Sequence, residues 1–260
     1  MRITGICLSL ICVLLFAALS HAEIDPGAIV GAWLFDEGEG DTAKDFSGNG
    51  RDGSIVGDAK WVGGKFGTAL EFNGTNVWVN VPEMEPLEQV TIAKWFYMTG
   101  RVGAWRCFFN HNGWSQGFTH YQFRPDNKME FCIHSNANGG RHTGFEGSAF
   151  TADDSVLNEW HHLAVVYNST ESNIKVYFDG ELDMESEWGA LPASFGPGRI
   201  GSWDGGGREW QGMLDEVIIF NSLLEEDDIT KLMNSGLKEA LSVEPAGKLA
   251  STWGQIKNND

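Results

Sequence analysis

The sequence predicts an all-β fold, a two-sheet antiparallel jelly-roll sandwich with one short C-terminal helix. Three observations predict it. Strand-like runs recur along the chain, several of them alternating apolar with polar residues, and turn signals separate them about every ten residues. Glycine supplies 33 of the 260 residues and tryptophan 11, which suits many tight turns around an aromatic core. A single convincing amphipathic helix comes late. Many strands and one late helix can bury their apolar faces as two stacked sheets.

The elements follow in order. Met1–Ala22 is expected to leave as a secretory signal peptide: Arg2 is the positive segment, Ile6–Leu19 the apolar one, and Ser20-His21-Ala22 the cleavage site. The apolar run is short for a membrane anchor. The protein is therefore expected to be secreted or extracytoplasmic. Strands are read from "AIVGAWLF", "TALEFNG", "VWVNVP", "VTIAKWFYM", "RCFFNH", "HYQFRP", "KMEFCIHS", "WHHLAVVYN", "NIKVYFDG", "GRIGSW" and "LDEVIIFN". "VYFDGE" and "RPDNK" carry turn signals. The long loops are "HNGWSQG" and "SNANGGRHTGFEG", and "DMESE" (Asp183–Glu187) is expected to be a solvated loop. In "NSLLEEDDITKLMNSG", Leu224, Ile229, Leu232 and Met233 form an apolar stripe. Acids crowd the first turn, and Gly236 is placed to end the helix. One domain is expected over residues 28–237, with a tail over 238–260.

Charge and cysteines narrow the setting. There are 18 Lys and Arg against 36 Asp and Glu, a net charge of −18, and −19 once Arg2 leaves with the leader. That argues against nucleic acid or an anionic membrane surface as partner. Cys7 and Cys12 leave with the leader. Cys107 and Cys132 remain, as one disulfide bond or as two buried free thiols.

"DFSGNGRDG" (Asp45–Gly53) begins like a calcium loop, with Asp45, Ser47 and Asn49 at alternate positions and Gly50 at the bend. The likeness ends at Val56, where that loop needs a bidentate Glu. Any metal here needs a ligand from elsewhere in the chain. The other reading is a metal-free turn in which Asp45 accepts nearby N–H groups.

The stretches "GAWLFDEGEGDTAKDFSGNGRDG", "GKFGTALEFNG", "VTIAKW", "NEWHHLAVVYN", "VYFDG" and "GMLDEVIIFNSLLEEDDI", in this order, resemble the laminin G-like members of the concanavalin A-like lectin/glucanase family. The resemblance spans roughly Ala28 to Leu237. It implies a structural calcium between the early loop and the last long strand, with Asp45, Asn49 and Asp215 as ligands. One departure is Glu225, where the family places a Ser cap; the cap then passes to Ser222 or Asn221.

Catalytic signatures are missing. The glucanase branch needs two carboxylates on one strand, spaced to face one groove, as in E-x-D-x-x-E. No such motif occurs, nor a nucleophile elbow, a metalloprotease helix, a P-loop or a dinucleotide fingerprint. No catalytic residue is therefore assigned. His161 and His162 read as one packed and one outward-facing residue. The loop residues point to binding. Trp114, with His111 and Asn112 beside it, lies in or next to the first long loop. His134 and Arg141 lie in or beside the second, and Trp203 sits in a Gly/Asp turn. Exposed indoles stack on sugar rings while amides and charges bond hydroxyls. The expected function is non-catalytic binding of a carbohydrate or glycoprotein. Protein adhesion is the alternative and glycoside hydrolysis a third.

Overall fold

In the computed structural model, the structure describes residues 24–100, 103–135, 156–189 and 191–242, together with the backbone of 143–145. Residues 1–23, which hold the expected leader, and 243–260, most of the expected tail, lie outside the described residues.

The chain is a two-sheet antiparallel sandwich. In spatial order the first sheet holds β14 (Glu181–Glu187), β13 (Asn173–Phe178), β12 (Trp160–Asn168), β7 (Gln89–Met98), β16 (Gln211–Phe220), β5 (Thr68–Asn73) and β4 (Lys60–Gly63). β1 (Ile29–Trp33) pairs with the second half of β16. The second sheet holds β11 (Thr143–Phe145), β10 (Met129–Ile133), β9 (Thr119–Phe123), β8 (Arg106–His111), β15 (Gly198–Ile200), β6 (Trp78–Val81), β3 (Gly53–Val56) and β2 (Thr42–Ala43).

Period-two alternation decides what lies between the sheets. Tyr121 and Phe123 of β9, Met129 and Phe131 of β10, and Leu214, Val217 and Ile219 of β16 point into the main core. Trp210 anchors it, its ring centroid 4.7 Å from Phe108 and 6.0 Å from Phe96. One inward position carries a lysine. Lys94 of β7 is fully buried, and its Nζ lies 3.7 and 3.6 Å from the ring centroids of Phe108 and Tyr121 with no hydrogen-bond partner.

A second apolar layer closes the outer face of the first sheet. Ala93, Ala164, Ile218 and Phe220 meet Ile229, Leu232 and Leu237 of α1 (Glu226–Ala240). Gly236 has the left-handed φ expected of a helix end, 71°, but the chain then resumes one more turn to Ala240. A side chain at Gly236 would also press on the Phe66 ring, 3.0 Å away. The N-cap is Glu225 and makes no side-chain cap bond, so neither Ser222 nor Asn221 takes that role.

Two further expectations are corrected, and the open alternative for the cysteines is decided. "DMESE" is part of the edge strand β14, paired along β13, and not a loop. His161 and His162 both turn into packed surroundings: His161 stacks on Phe178 and bonds Asp179, and His162 lies against Trp95. Cys107 and Cys132 are free buried thiols. β9 runs between their strands, so two spacings of about 4.8 Å separate them, beyond the roughly 7 Å between Cα atoms that a disulfide spans. Unfolding the protein without reductant should therefore leave both cysteines open to alkylation. A mass unchanged by the alkylating reagent would show them bonded. Among the described residues no helix is long and apolar enough to cross a membrane.

Candidate ligand-binding face

The outer face of the second sheet differs in kind from that of the first. No helix packs on it among the described residues, and the alternation of its strands delivers polar side chains. β9 turns His120 and Gln122 outward because Tyr121 and Phe123 face the core, and β10 does the same with Glu130 and Cys132. In β8 a register shift between Cys107 and Phe109 sends both Phe108 and Phe109 to the core and leaves Asn110 opposite His120.

These groups form one network. The Asn110 amide donates to Gln122 Oε1 at 3.0 Å, and Gln122 Nε2 donates to Glu130 Oε2 at 2.6 Å. Arg208 Nη1 donates to Gln122 Oε1 at 2.9 Å and to His120 Nδ1 at 3.1 Å. An acceptor at Nδ1 leaves the ring proton on Nε2, which donates to the Gly113 carbonyl at 3.2 Å. Burial, and then the Arg208 cation, push the His120 pKa down to about 2, so the ring is neutral.

Three half-buried indoles frame the network. The Arg208 guanidinium lies 4.3 Å from the Trp203 ring centroid, 5.0 Å from Trp105 and 5.8 Å from Trp114. The Trp114 ring is 4.1 Å from His120, 5.3 Å from His134 and 6.4 Å from Trp203. The turn between Trp203 and Arg208 depends on glycine. A Cβ at Gly205 would stand 2.2 Å from the Trp203 ring, and Gly206 and Gly207 have φ of 74° and 76°. Gly113 N–H donates to Asp204 Oδ1 at 2.9 Å, tying this turn to the Trp114 loop.

Of the residues singled out in the sequence, Trp114, His134 and Trp203 come together here. His111 stacks on Phe118, centroids 3.4 Å apart, and Asn112 is fastened by its N–H to the Pro197 carbonyl. Both shape the loop beside the network. Arg141 lies outside the described residues. Asn110, His120, Gln122, Glu130 and Arg208 were not singled out. The alternation in "HYQF" and "MEFCIH" was the available signal for His120, Gln122 and Glu130.

The calcium set does not converge. Asp45 Oδ1 accepts from Ala32 N–H and Ser47 N–H at 3.0 Å each, and Oδ2 accepts from Arg51 N–H at 2.9 Å. Asn49 donates its amide to the Ile29 and Val30 carbonyls. Asp215 Oδ2 accepts from Lys65 and Phe66 N–H at 2.8 and 3.1 Å. β1 separates the two aspartates, since Trp33 pairs with Val217 on one side and bridges Asp45 on the other. Only Asp215 Oδ1 is buried without a partner, and calcium needs six to eight oxygens. Among the described residues no group of three or more His, Cys, Asp or Glu could hold a metal. The residues fit two hydrogen-bonded turns and not one shared ion.

A family model described as the concanavalin A-like lectin/glucanases superfamily matches residues 73–230. Comparison with curated proteins gives no match. Domain 4 of AbnA, a GH43 extracellular arabinanase from Geobacillus stearothermophilus, solved with arabinotriose, is similar with a TM-score of 0.60 and 19% identity over 79% of this chain and 98% of that one. The binding domain of botulinum neurotoxin DC is similar in two complexes. With SialylT the TM-score is 0.62 at 15% identity, and with rat synaptotagmin II 0.62 at 14%, each over 82% of this chain and 52% of that one. The chain thus spans about half the length of the neurotoxin chains it matches. At these identities the likeness is one of fold.

Proposed function

The chain belongs to the concanavalin A-like lectin/glucanase superfamily, and on that premise we propose that it is an exported, non-catalytic module that binds a carbohydrate or glycoconjugate on the outer face of the second sheet. The observation that carries the reading is the framing of a polar network by Trp105, Trp114 and Trp203 on the sheet face that no helix covers among the described residues. Indole faces take the apolar side of a sugar ring, while guanidinium, amide and imidazole groups take its hydroxyls. Arabinotriose on the AbnA domain and SialylT on the neurotoxin domain support a sugar ligand. Synaptotagmin II on the latter supports the second reading, protein adhesion. Glu130 is the one carboxylate on β8, β9 and β10, and its Oε2 accepts from Gln122. A glycosidase needs a pair about 5–9.5 Å apart. The leader supports export, and the net charge of −18 disfavours nucleic acid.

A glycan array on the purified protein, followed by calorimetry on the hits, tests this. Trp114→Ala should weaken binding of a hit by about 1–3 kcal/mol without lowering the melting temperature, because the indole is only half-buried. Unchanged affinity removes Trp114 from the site. An empty array with binding to a protein ligand favours adhesion, and glycan turnover favours hydrolysis.

A further inference from the structure

We propose that the glycan bound on this face carries an anionic group, a carboxylate or a sulfate ester, and that Arg208 is the residue that selects it. The proposal rests on the carbohydrate reading above and adds the ligand's charge.

The first ground is a cation without an ion-pair partner among the described residues of an acidic chain. Acids outnumber bases 36 to 18, and Lys44, Lys60, Lys175 and Lys238 each meet an Asp or Glu. Arg208, partly buried, has no carboxylate within ion-pair distance among the described residues. Burial lowers its pKa, which marks the cost of holding the charge there. Nearby acids are turned elsewhere: Asp204 accepts from Gly113 N–H, Glu209 from Gly207 N–H, and Glu130 from Gln122, which stands between it and Arg208.

The second ground is geometry. Both hydrogen bonds of Arg208 leave from Nη1, to Gln122 and His120. Nε and Nη2, on the opposite edge of the plane, bond nothing in the described chain. An anchored guanidinium with one free edge presents two parallel donors, the geometry that a carboxylate or sulfate accepts. His120 is neutral and serves as an acceptor, so it holds the guanidinium without competing for the anion. Arg199 of β15, paired opposite Asn110, lies 4.7 Å from the Trp78 ring centroid and donates Nη1 to the Trp203 carbonyl at 3.2 Å. A neutral sugar would leave the Arg208 charge uncompensated.

The test uses oligosaccharide pairs that differ only in charge: an oligogalacturonide against its methyl ester, and a sulfated disaccharide against its desulfated form. The charged member of at least one pair should bind about 10- to 100-fold more tightly, the range for a charge-assisted bond. The pair that shows the preference tells carboxylate from sulfate. The preference should shrink as salt rises. Arg208→Gln should bring the ratio close to one, and Arg208→Lys should restore part of it. Melting curves confirm that both variants fold. The salt dependence of the wild type tests the proposal even where a variant does not fold. Equal affinity within both pairs overturns the proposal, as does an Arg208→Gln variant that keeps the full ratio. If no member of either pair binds, and no array hit responds to Trp114→Ala, the carbohydrate reading fails and the proposal with it.

Discussion

Asp215→Ala should lower the stability of the folded chain by roughly 2–6 kcal/mol. Asp215 Oδ2 accepts two backbone N–H groups, from Lys65 and Phe66, across a sequence gap of 150 and 149 residues. Each of these part-buried donors left without an acceptor costs about 1–3 kcal/mol. The loop between β4 and β5 would lose its tie to β16. That loop is built for the contact, since a Cβ at Gly64 would lie 2.6 Å from the same oxygen. Asp215→Asn keeps an acceptor and should recover most of the loss. Urea unfolding measures both. The wild type should melt at the same temperature in chelator and in calcium, because backbone N–H groups already occupy the Asp45 oxygens and Asp215 Oδ2. A calcium-dependent rise, lost in both Asp45→Ala and Asp215→Ala, would reinstate the shared ion.

The same carboxyl gives a pH signature. Burial, aided by the Glu216 charge, raises the Asp215 pKa to about 8, from 3.8 for the free group. A carboxyl whose folded pKa is raised holds its proton more tightly in the folded state. Its contribution is fully present below pH 3.8 and is lost as pH rises through about 8. Glu216, raised to about 7 by burial, acts in the same direction. The advantage of wild type over Asp215→Asn should therefore shrink between pH 5 and pH 8.5. An advantage that grows over that interval would mean the carboxyl is ionised in the fold.

Lys94→Met should stabilise the protein by about 1–3 kcal/mol at neutral pH, the usual cost of a buried polar group without a partner. The lysine stem packs against Phe108 and Tyr121, and methionine fills similar space. Burial pushes the Lys94 pKa well below 10.5. Below pH 10.5 the unfolded amine takes a proton that the folded one refuses, so this group destabilises the fold increasingly as pH falls. The gain from Lys94→Met should be larger at pH 7 than at pH 9.5. A variant that is less stable than wild type at both would show that the amine contributes favourably to the core.

Much of the architecture was legible because alternation is a local property. "VTIAKWFYM", "HYQF" and "LDEVIIF" read as strands from their own residues, and the left-handed turn at Gly236 follows from its having no Cβ. "DMESE" was not legible as strand β14. An edge strand with acids at alternate positions presents one charged face, and its other face gives the core only a half-buried Met184, too little for an apolar stripe. The loop indoles Trp114 and Trp203 stood out because large aromatics among Gly, Asn and Asp are unusual. Their partners did not. His120 and Gln122 differ from core-facing residues only in the parity of their strand positions. Parity alone does not say which face becomes core, which goes under a helix and which stays open.

The sequence by itself determined the fold class, the run of strands, the late helix, the acidic charge and the absence of a paired-carboxylate strand motif. All of these depend on neighbours within a few residues or on a sum over the chain. Only the tertiary structure decided the rest. It placed β9 between Cys107 and Cys132, buried Lys94 between two rings, and turned Asp45 and Asp215 to separate sets of N–H groups. It also brought Arg208 to His120 across a gap of 88 residues. Each of these depends on which strand lies beside which and which face α1 covers. Those choices come from burying the most apolar surface over the whole chain, a global quantity that no short stretch of residues carries.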